Sequence, residues 1–347
     1  MAQITLDQVA KKAGVSAKTV SRVLNDEPNV SERTARLVKK VIKELNYVPN
    51  LAARNLSRGK ARAIGLVLGW PINTPYSSSL IDYSLVACDK FHHHLVLFSK
   101  TSDVSSKVLD AFLGKQIDGV ILDKNAAEDD DLSRQLNSIN IPCVVINSDQ
   151  KENHPHASFV RIDDFAAAVN AVEYLIEMGH RAIGYIGNST DTEQINMRLA
   201  GYYQALNDAN IPVNEDWVYL ELGSTSGFRI GVTGARQLLS KKARITALFA
   251  ITDDIAMGAI SSIWAHGLNV PGDISVVGFD DVYYSSLMVP PLTTIHQPID
   301  EMANQAVKQL VKLISDGEAR PEDLVLPTHL VVRGTCKSVV ERTRLDG

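Results

Sequence analysis

The chain has 347 residues, 45% of them hydrophobic and 22% charged, a globular composition at a length that suits two or three folded units rather than one. Its three cysteines, Cys88, Cys143 and Cys336, are far apart, odd in number and without CxxC spacing, which argues against a disulfide framework or a zinc ribbon and fits a reducing compartment. The net charge of −5 conceals an asymmetry: residues 1–62 carry 13 Lys and Arg against 5 Asp and Glu, a local +8, while the remaining 22 against 35 give −13. A basic head on an acidic body points to a head that binds a polyanion, although a solvated charged face accounts for the same numbers. No stretch approaches the roughly 20 apolar residues of a membrane span. The opening MAQITLDQVAKKAG lacks the apolar core of a secretory signal. A soluble, cytoplasmic protein with no membrane partner is expected.

The first 45 residues read as three helices. Thr5 and Gln8 have capping-box spacing, and Leu6, Val9, Ala10 and Ala13 follow with helical periodicity. Gly14 breaks that run. Ser16 caps a second helix with Val20, Val23 and Leu24 inside, ended by Asn25-Asp26-Glu27-Pro28. Ser31 opens a third, with Ala35, Val38, Ile42 and Leu45 on one face. Residues 50–57 have helical composition with Asn50 placed to cap, but a helix this short is marginal in water. It is expected to fray in the free protein and to order on a partner. From about residue 62 short β-branched runs alternate with amphipathic helices. The runs fall at 63–70, 95–99, 118–123, 143–147, 159–163, 182–187, 247–251 and 274–280. This alternation implies parallel sheets covered on both faces, and the number of units implies two α/β lobes.

The segment Ala13–Asn25, AGVSAKTVSRVLN, is a helix, a glycine turn and a second helix. Ser16, Thr19 and Ser21 are short hydroxyls near a helix N-terminus, suited to holding a phosphate. Ala17, Lys18 and Arg22 project opposite Val20 and Val23, where an arginine can bond guanine O6 and N7 together. A helical hairpin used for protein contacts is the alternative. Elsewhere little chemistry stands out. His92-His93-His94 cannot all face one ion from a helix and more simply ends one. GSTSG at 223–227 has Thr225 where a nucleophilic serine belongs. No phosphate loop, HExxH or paired-carboxylate motif is present, so neither catalytic residues nor a metal or other cofactor is expected.

The opening ITLDQVAKKAGVSAKTVSRVLN closely resembles that of the LacI/GalR family of bacterial repressors. Further blocks match family motifs in order: MGHRAIGYIG (178–187), RLAGYYQAL (198–206), DDIAMGA (253–259), DISVVGFDD (273–281) and PPLTTIHQP (290–298). The resemblance covers essentially the whole chain. It implies an α-helical helix-turn-helix headpiece at 1–48, a hinge helix and linker at 49–61, and a periplasmic-binding-protein-like α/β sensor at 62–347. Lobe 1 is expected at about 62–160 and 293–325, and lobe 2 at about 161–291 and 326–340, with crossovers near 160–163, 291–297 and 325–330. It also implies a non-enzymatic homodimer that reads a pseudo-palindromic double-stranded operator, with a small-molecule effector, expected to be a sugar, between the lobes. The expected DNA contacts are Thr5, Ser16, Ala17, Lys18, Thr19, Ser21, Arg22 and Asn25 in the headpiece and Asn50, Ala53 and Leu56 in the hinge. Leu56 matches the residue that wedges between base steps in the minor groove. The short tail KSVVERTRLDG lacks heptads, so assembly is expected to stop at the dimer.

In the sensor, Asp280 matches the family's effector-binding aspartate and is preferred over Asp281. Arg198 matches an effector-contacting arginine, with an ion pair to a nearby acid as the alternative. Asn147 stands where many relatives carry Asp, and Gln297 follows a strand toward the cleft. Thr252 departs from the Asn usual before Asp253. Leu222 stands where some relatives have a stacking aromatic. Trp70 is expected to supply a stacking face instead, or to be ordinary core, with Tyr76 and Phe165 as lesser candidates. An α/β sugar enzyme and a transport binding protein are the rival readings.

Overall fold

The computed structural model describes residues 4–24, 30–47, 61–69, 71–99, 103–148, 150–189, 193–222, 226–241, 244–316 and 320–339. Asn25, Asn50, Ala53, Leu56 and Trp70 lie outside that set, as does the side chain of Leu222. The chain divides into two units, Met1–Ala61 and Arg62–Gly347.

In the first unit, helices α1 (Leu6–Ala13), α2 (Ala17–Leu24) and α3 (Glu32–Glu44) surround a small core of Val9, Ala10, Ala13, Val20, Val23, Val38, Val41 and Tyr47. Thr5 caps α1 as its sequence predicts: its Oγ1 accepts from Gln8 N, and its own N–H donates to Gln8 Oε1 at 2.9 Å. Gly14 ends α1 with φ of +65°, a left-handed conformation that costs glycine nothing, and redirects the chain into α2. Val15 packs against the core at the corner.

The second unit contains two six-stranded sheets. In the first, β1 (Ala63–Leu68), β2 (His94–Ser99), β3 (Gly119–Leu122), β4 (Cys143–Ile146), β5 (Ser158–Ile162) and β11 (Asp323–Leu326) run parallel in the order β11-β5-β4-β3-β1-β2. The second holds β6 (Ile183–Ser189), β7 (Val218–Leu222), β8 (Ala247–Ala250), β9 (Ser275–Asp280), β10 (Thr293–His296) and β12 (His329–Val331), in the order β12-β10-β9-β8-β6-β7. Among the described residues only β12 is antiparallel to its neighbour there. Strands β1, β3, β4, β8 and β9 are buried along their whole length, because helices cover both faces of each sheet. The helices are α4 (Pro75–Lys90), α5 (Val104–Leu113), α6 (Lys124–Ala127), α7 (Asp130–Ser138), α8 (Asp164–Glu177), α9 (Glu193–Asp208), α10 (Gly227–Leu239), α11 (Asp253–Ala265) and α12 (Ile299–Ser315).

The chain passes between the sheets three times: between β5 and α8, between β10 and α12, and between β11 and β12. Two lobe limits differ from those the sequence suggests. Thr293–His296 was expected in the first lobe but pairs in parallel with Val277–Asp280 of β9, so the second crossover follows residue 296. Arg161 and Ile162, assigned to the second lobe, pair with Val325 and Leu326 and complete the first sheet. In both cases the crossover follows the last ladder bond, because a strand end left off its sheet would expose unpaired backbone groups.

Candidate functional site

The carboxyl ends of both sheets face a cleft of about 930 Å³, counted to its open mouth. Asp123 follows β3, Asn147 follows β4, Asn188 lies in β6, Ile251 and Thr252 follow β8, Asp280 ends β9, and Gln297 follows β10. Helix starts complete the walls: Thr74, Pro75 and Tyr76 at α4, Lys124 and Asn125 in α6, Gly227 at α10, and Asp254 and Ile255 at α11.

Arg198, on α9, is the organising charge. It is 7% exposed, with Nε donating to Asp164 Oδ1 at 2.7 Å and Nη1 donating to the Ile251 carbonyl at 2.5 Å. Its guanidinium lies 3.6 Å over the Phe279 ring, and Nη1 is 3.8 Å from Asp280 Oδ1. Burial works against its charge, but the two carboxylates outweigh that and hold it protonated. The ion pair considered as an alternative for Arg198 therefore coexists with a place in the cleft wall. Asp280 is held at φ of +117° and is 5% exposed. Burial pushes its pKa well up, Arg198 pulls it down, and the nearby Asp253, Asp254 and Asp164 push it up again. Asp281 turns away to His296 Nδ1 at 3.0 Å and Arg333 Nη2 at 2.6 Å.

Behind the wall, Asp253 is fully buried and accepts from Val282 N at 2.9 Å and from the hydroxyls of Ser285 and Thr294 at 2.5 Å each. Burial raises its pKa to about 7 against those three donors, which favour the charged form. Thr252 borders the cleft, but its hydroxyl donates to Asp254 Oδ1 at 2.5 Å and accepts from Ile255 N, capping α11. Asn147, with φ of +59°, donates from Nδ2 to Tyr76 Oη at 3.1 Å and to Gln297 Oε1 at 3.3 Å.

The cleft thus gathers Asn147, Arg198, Thr252, Asp280 and Gln297. It does not include Phe165, which is 36% exposed. Helix α8 starts at Asp164, whose carboxylate turns inward to Arg198, and the next residue lies about 100° further round and points out. Tyr76, a lesser stacking candidate in the sequence, borders the cleft, with its hydroxyl bonded to Asn147. Asp123, Lys124, Asn125, Asn188 and Asp254 were not foreseen. Asp123 ends the run at 118–123, and a side chain at the carboxyl end of a parallel strand faces the ligand side, the signal that could have found it.

In the first unit, α2 turns Val20 and Val23 inward and leaves Lys18 exposed, with Ala17, Thr19, Ser21 and Arg22 half-buried. Ser16 Oγ accepts from Thr19 N at 3.1 Å and lies 2.9 Å from Thr19 Oγ1, so these two hydroxyls fix the start of the helix.

Residues 5–50 match the family of bacterial regulatory proteins named for LacI, and residues 172–336 match the periplasmic binding protein-like domain. The HTH-type transcriptional regulator RegA of Clostridium acetobutylicum is 34% identical over 337 residues, spanning 96% of this chain and 99% of its own. The chain belongs to the LacI family. A lac repressor dimer bound to operator and the anti-inducer ONPF superposes with a TM-score of 0.83 at 28% identity, covering 97% of this chain and 100% of that one. A complex of the regulator CelR with cellobiose gives 0.72 at 31% identity, covering 96% and 100%. The LacI-family assignment makes the protein a helix-turn-helix transcriptional regulator with a periplasmic-binding-like body, and not an enzyme.

Proposed function

We propose that this LacI-family regulator is a cytoplasmic repressor, acting as a homodimer on a pseudo-palindromic operator, and that a sugar in the cleft sets its operator affinity. One observation carries this reading. Asp280 and Arg198 from one lobe, Asn147 from the other and Gln297 at a crossover converge on a single cleft, in a chain that also bears a helix-turn-helix. A carboxylate can accept two adjacent hydroxyls, and a guanidinium can grip vicinal oxygens. Pro75, Ile251, Ile255 and Val282 offer apolar surface to the C–H faces of a sugar ring. The operator-bound lac repressor dimer and the cellobiose-bound CelR support the two halves of the proposal.

On DNA, Lys18 and Arg22 reach phosphate and base edges from α2, with Thr5, Ser16, Ala17, Thr19, Ser21 and Asn25 around them. Asn50, Ala53 and Leu56 form the hinge element in the minor groove, and Trp70 supplies a stacking face to the sugar. Closure of the lobes on the ligand changes the geometry of the paired headpieces and couples the two sites. The experiment is a gel shift on DNA from upstream of the protein's own and neighbouring genes, titrated with a sugar panel. A retarded fragment whose affinity shifts with one sugar supports the reading. Equal affinity for random duplex with every sugar refutes it.

A further inference from the structure

The chain leaves β9 through two consecutive residues with positive φ, Asp280 at +117° and Asp281 at +57°. Aspartate tolerates a φ near +57°. A φ of +117° lies well outside the small left-handed region open to a residue with a side chain, and such a conformation lasts only where the surroundings over-determine it. The cleft depends on this corner, because among the described residues no hydrogen-bond donor holds the Asp280 carboxylate; its nearest cation, Arg198 Nη1, is 3.8 Å away. The backbone therefore sets where that carboxylate points.

The corner is braced from behind the wall. Asp253 does not line the cleft. Its Oδ2 accepts from the Val282 amide at 2.9 Å and the Ser285 hydroxyl at 2.5 Å, and its Oδ1 accepts from the Thr294 hydroxyl at 2.5 Å. One buried carboxylate thus ties the residue after the corner to the turn beyond it and to strand β10. Strand β9 makes room for it: at Gly278, two residues before Asp280, a Cβ would lie 2.4 Å from Asp253 Oδ1. The Val282 N–H can only donate, so Oδ2 has to accept whatever the charge on Asp253. A proton, when present, sits on Oδ1 toward Thr294, whose hydroxyl can turn to accept it. The brace therefore holds in both protonation states. Resting on the reading of the cleft as a sugar site, we propose that Asp253 is a positioning residue for effector binding: without touching the ligand, it locks Val282 and so keeps the Asp280 carboxylate aimed into the cleft.

The test is calorimetric titration of the full-length protein with cellobiose, D-ribose and D-glucose. Wild type is compared with D253N, D253L, S285A and T335V, each shown by thermal melting to be folded at the titration temperature. D253N keeps an oxygen for Val282 and Ser285 and turns its amine to Thr294, whereas D253L has the same branched shape and no acceptor. T335V reports plain loss of stability in the same sheet: Thr335 Oγ1 joins β9 to β10 at their opposite ends, donating to the Val276 carbonyl at 2.7 Å and accepting from Thr293 N at 2.9 Å. For the best-bound probe, D253L is expected to lose at least ten-fold in affinity, while D253N and T335V stay within three-fold of wild type. A smaller loss in D253L, or a loss beyond three-fold in D253N or T335V, overturns the proposal and leaves the sugar reading standing. If D253L does not fold, S285A decides: it removes one of the two donors to Oδ2 and is expected to lose at least three-fold, and a smaller loss overturns the proposal. If wild type binds none of the probes, the sugar reading fails and takes this inference with it.

Discussion

Replacing Arg198 with Met tests whether the cleft is built around a buried, paired guanidinium. The substitution removes the 2.7 Å bond to Asp164, the bond to the Ile251 carbonyl and the nearest countercharge to Asp280. It leaves Asp164 and Asp280, 7% and 5% exposed, without their shared cation. Breaking a buried pair from one side costs about 3–5 kcal/mol, most of it the stranded charge. Unfolding entropy of about 2.1 cal/mol/K per residue over Arg62–Gly347 gives roughly 0.6 kcal/mol/K, so the melting temperature of this unit should fall by about 5–8 °C. The loss should be smaller at pH 6 than at pH 8. Without Arg198 the Asp280 carboxyl titrates still higher, and at the lower pH it escapes the penalty by holding a proton. R198M combined with Asp164→Asn should recover part of the loss, since one stranded charge is gone. Differential scanning calorimetry at both pH values reads all of this. A melting temperature for R198M within 1 °C of wild type would refute the argument.

Gly258→Ala places a Cβ 2.0 Å from the Phe228 carbonyl oxygen, which forces α11 away from α10. An overpacking cost of about 1–3 kcal/mol is expected in thermal melts, together with weaker effector binding, because the cap and first turn of α11 place Thr252, Asp254 and Ile255 in the cleft wall. Asp253 should make the sensor less stable as pH rises. Its folded pKa of about 7 exceeds the ordinary 3.8, so the folded state holds the proton longer, and stability falls by a few kcal/mol between those values. Urea melts from pH 4 to 8 should show the wild type losing ground to D253N across that window, and a flat or rising difference would contradict the assignment. Arg22→Ala should cost about 1–3 kcal/mol on the preferred operator and relax base preference at one position, whereas Lys18→Ala should weaken all duplexes alike and lower the salt slope by about 1. Fluorescence anisotropy over a salt series separates the two.

Much of this was legible in the sequence because the signals are local. The glycine turn after α1, the caps at Thr5 and Ser31 and the alternating β-branched runs each fix an element without reference to distant residues. Asp280 stood out because it matches the family's effector-binding aspartate, and a strand-ending carboxylate in a parallel sheet also faces the ligand side. The same rule was available for Asp123 and Asn188, but one sequence does not say which strand ends border the same cleft. Phe165 was misplaced because the facing of a residue in the first turn depends on where the helix starts, and a shift of one position turns it through about 100°. The role of Thr252 depended on its cap to Ile255, and that of Asn147 on Gln297, 150 positions away. Lys124 gave no signal at all, since a lysine after a strand is ordinarily exposed and here it is 5% exposed.

The central claim is that effector cleft and headpiece are two sites of one coupled system. Calorimetric titration of the preferred sugar into the protein, alone and saturated with its operator duplex, tests it most directly. The account predicts different sugar affinities in the two titrations, with a ratio equal to the factor by which that sugar changes operator affinity, as linkage requires. Sugar binding of equal strength with and without operator, to a protein that holds both, would contradict it.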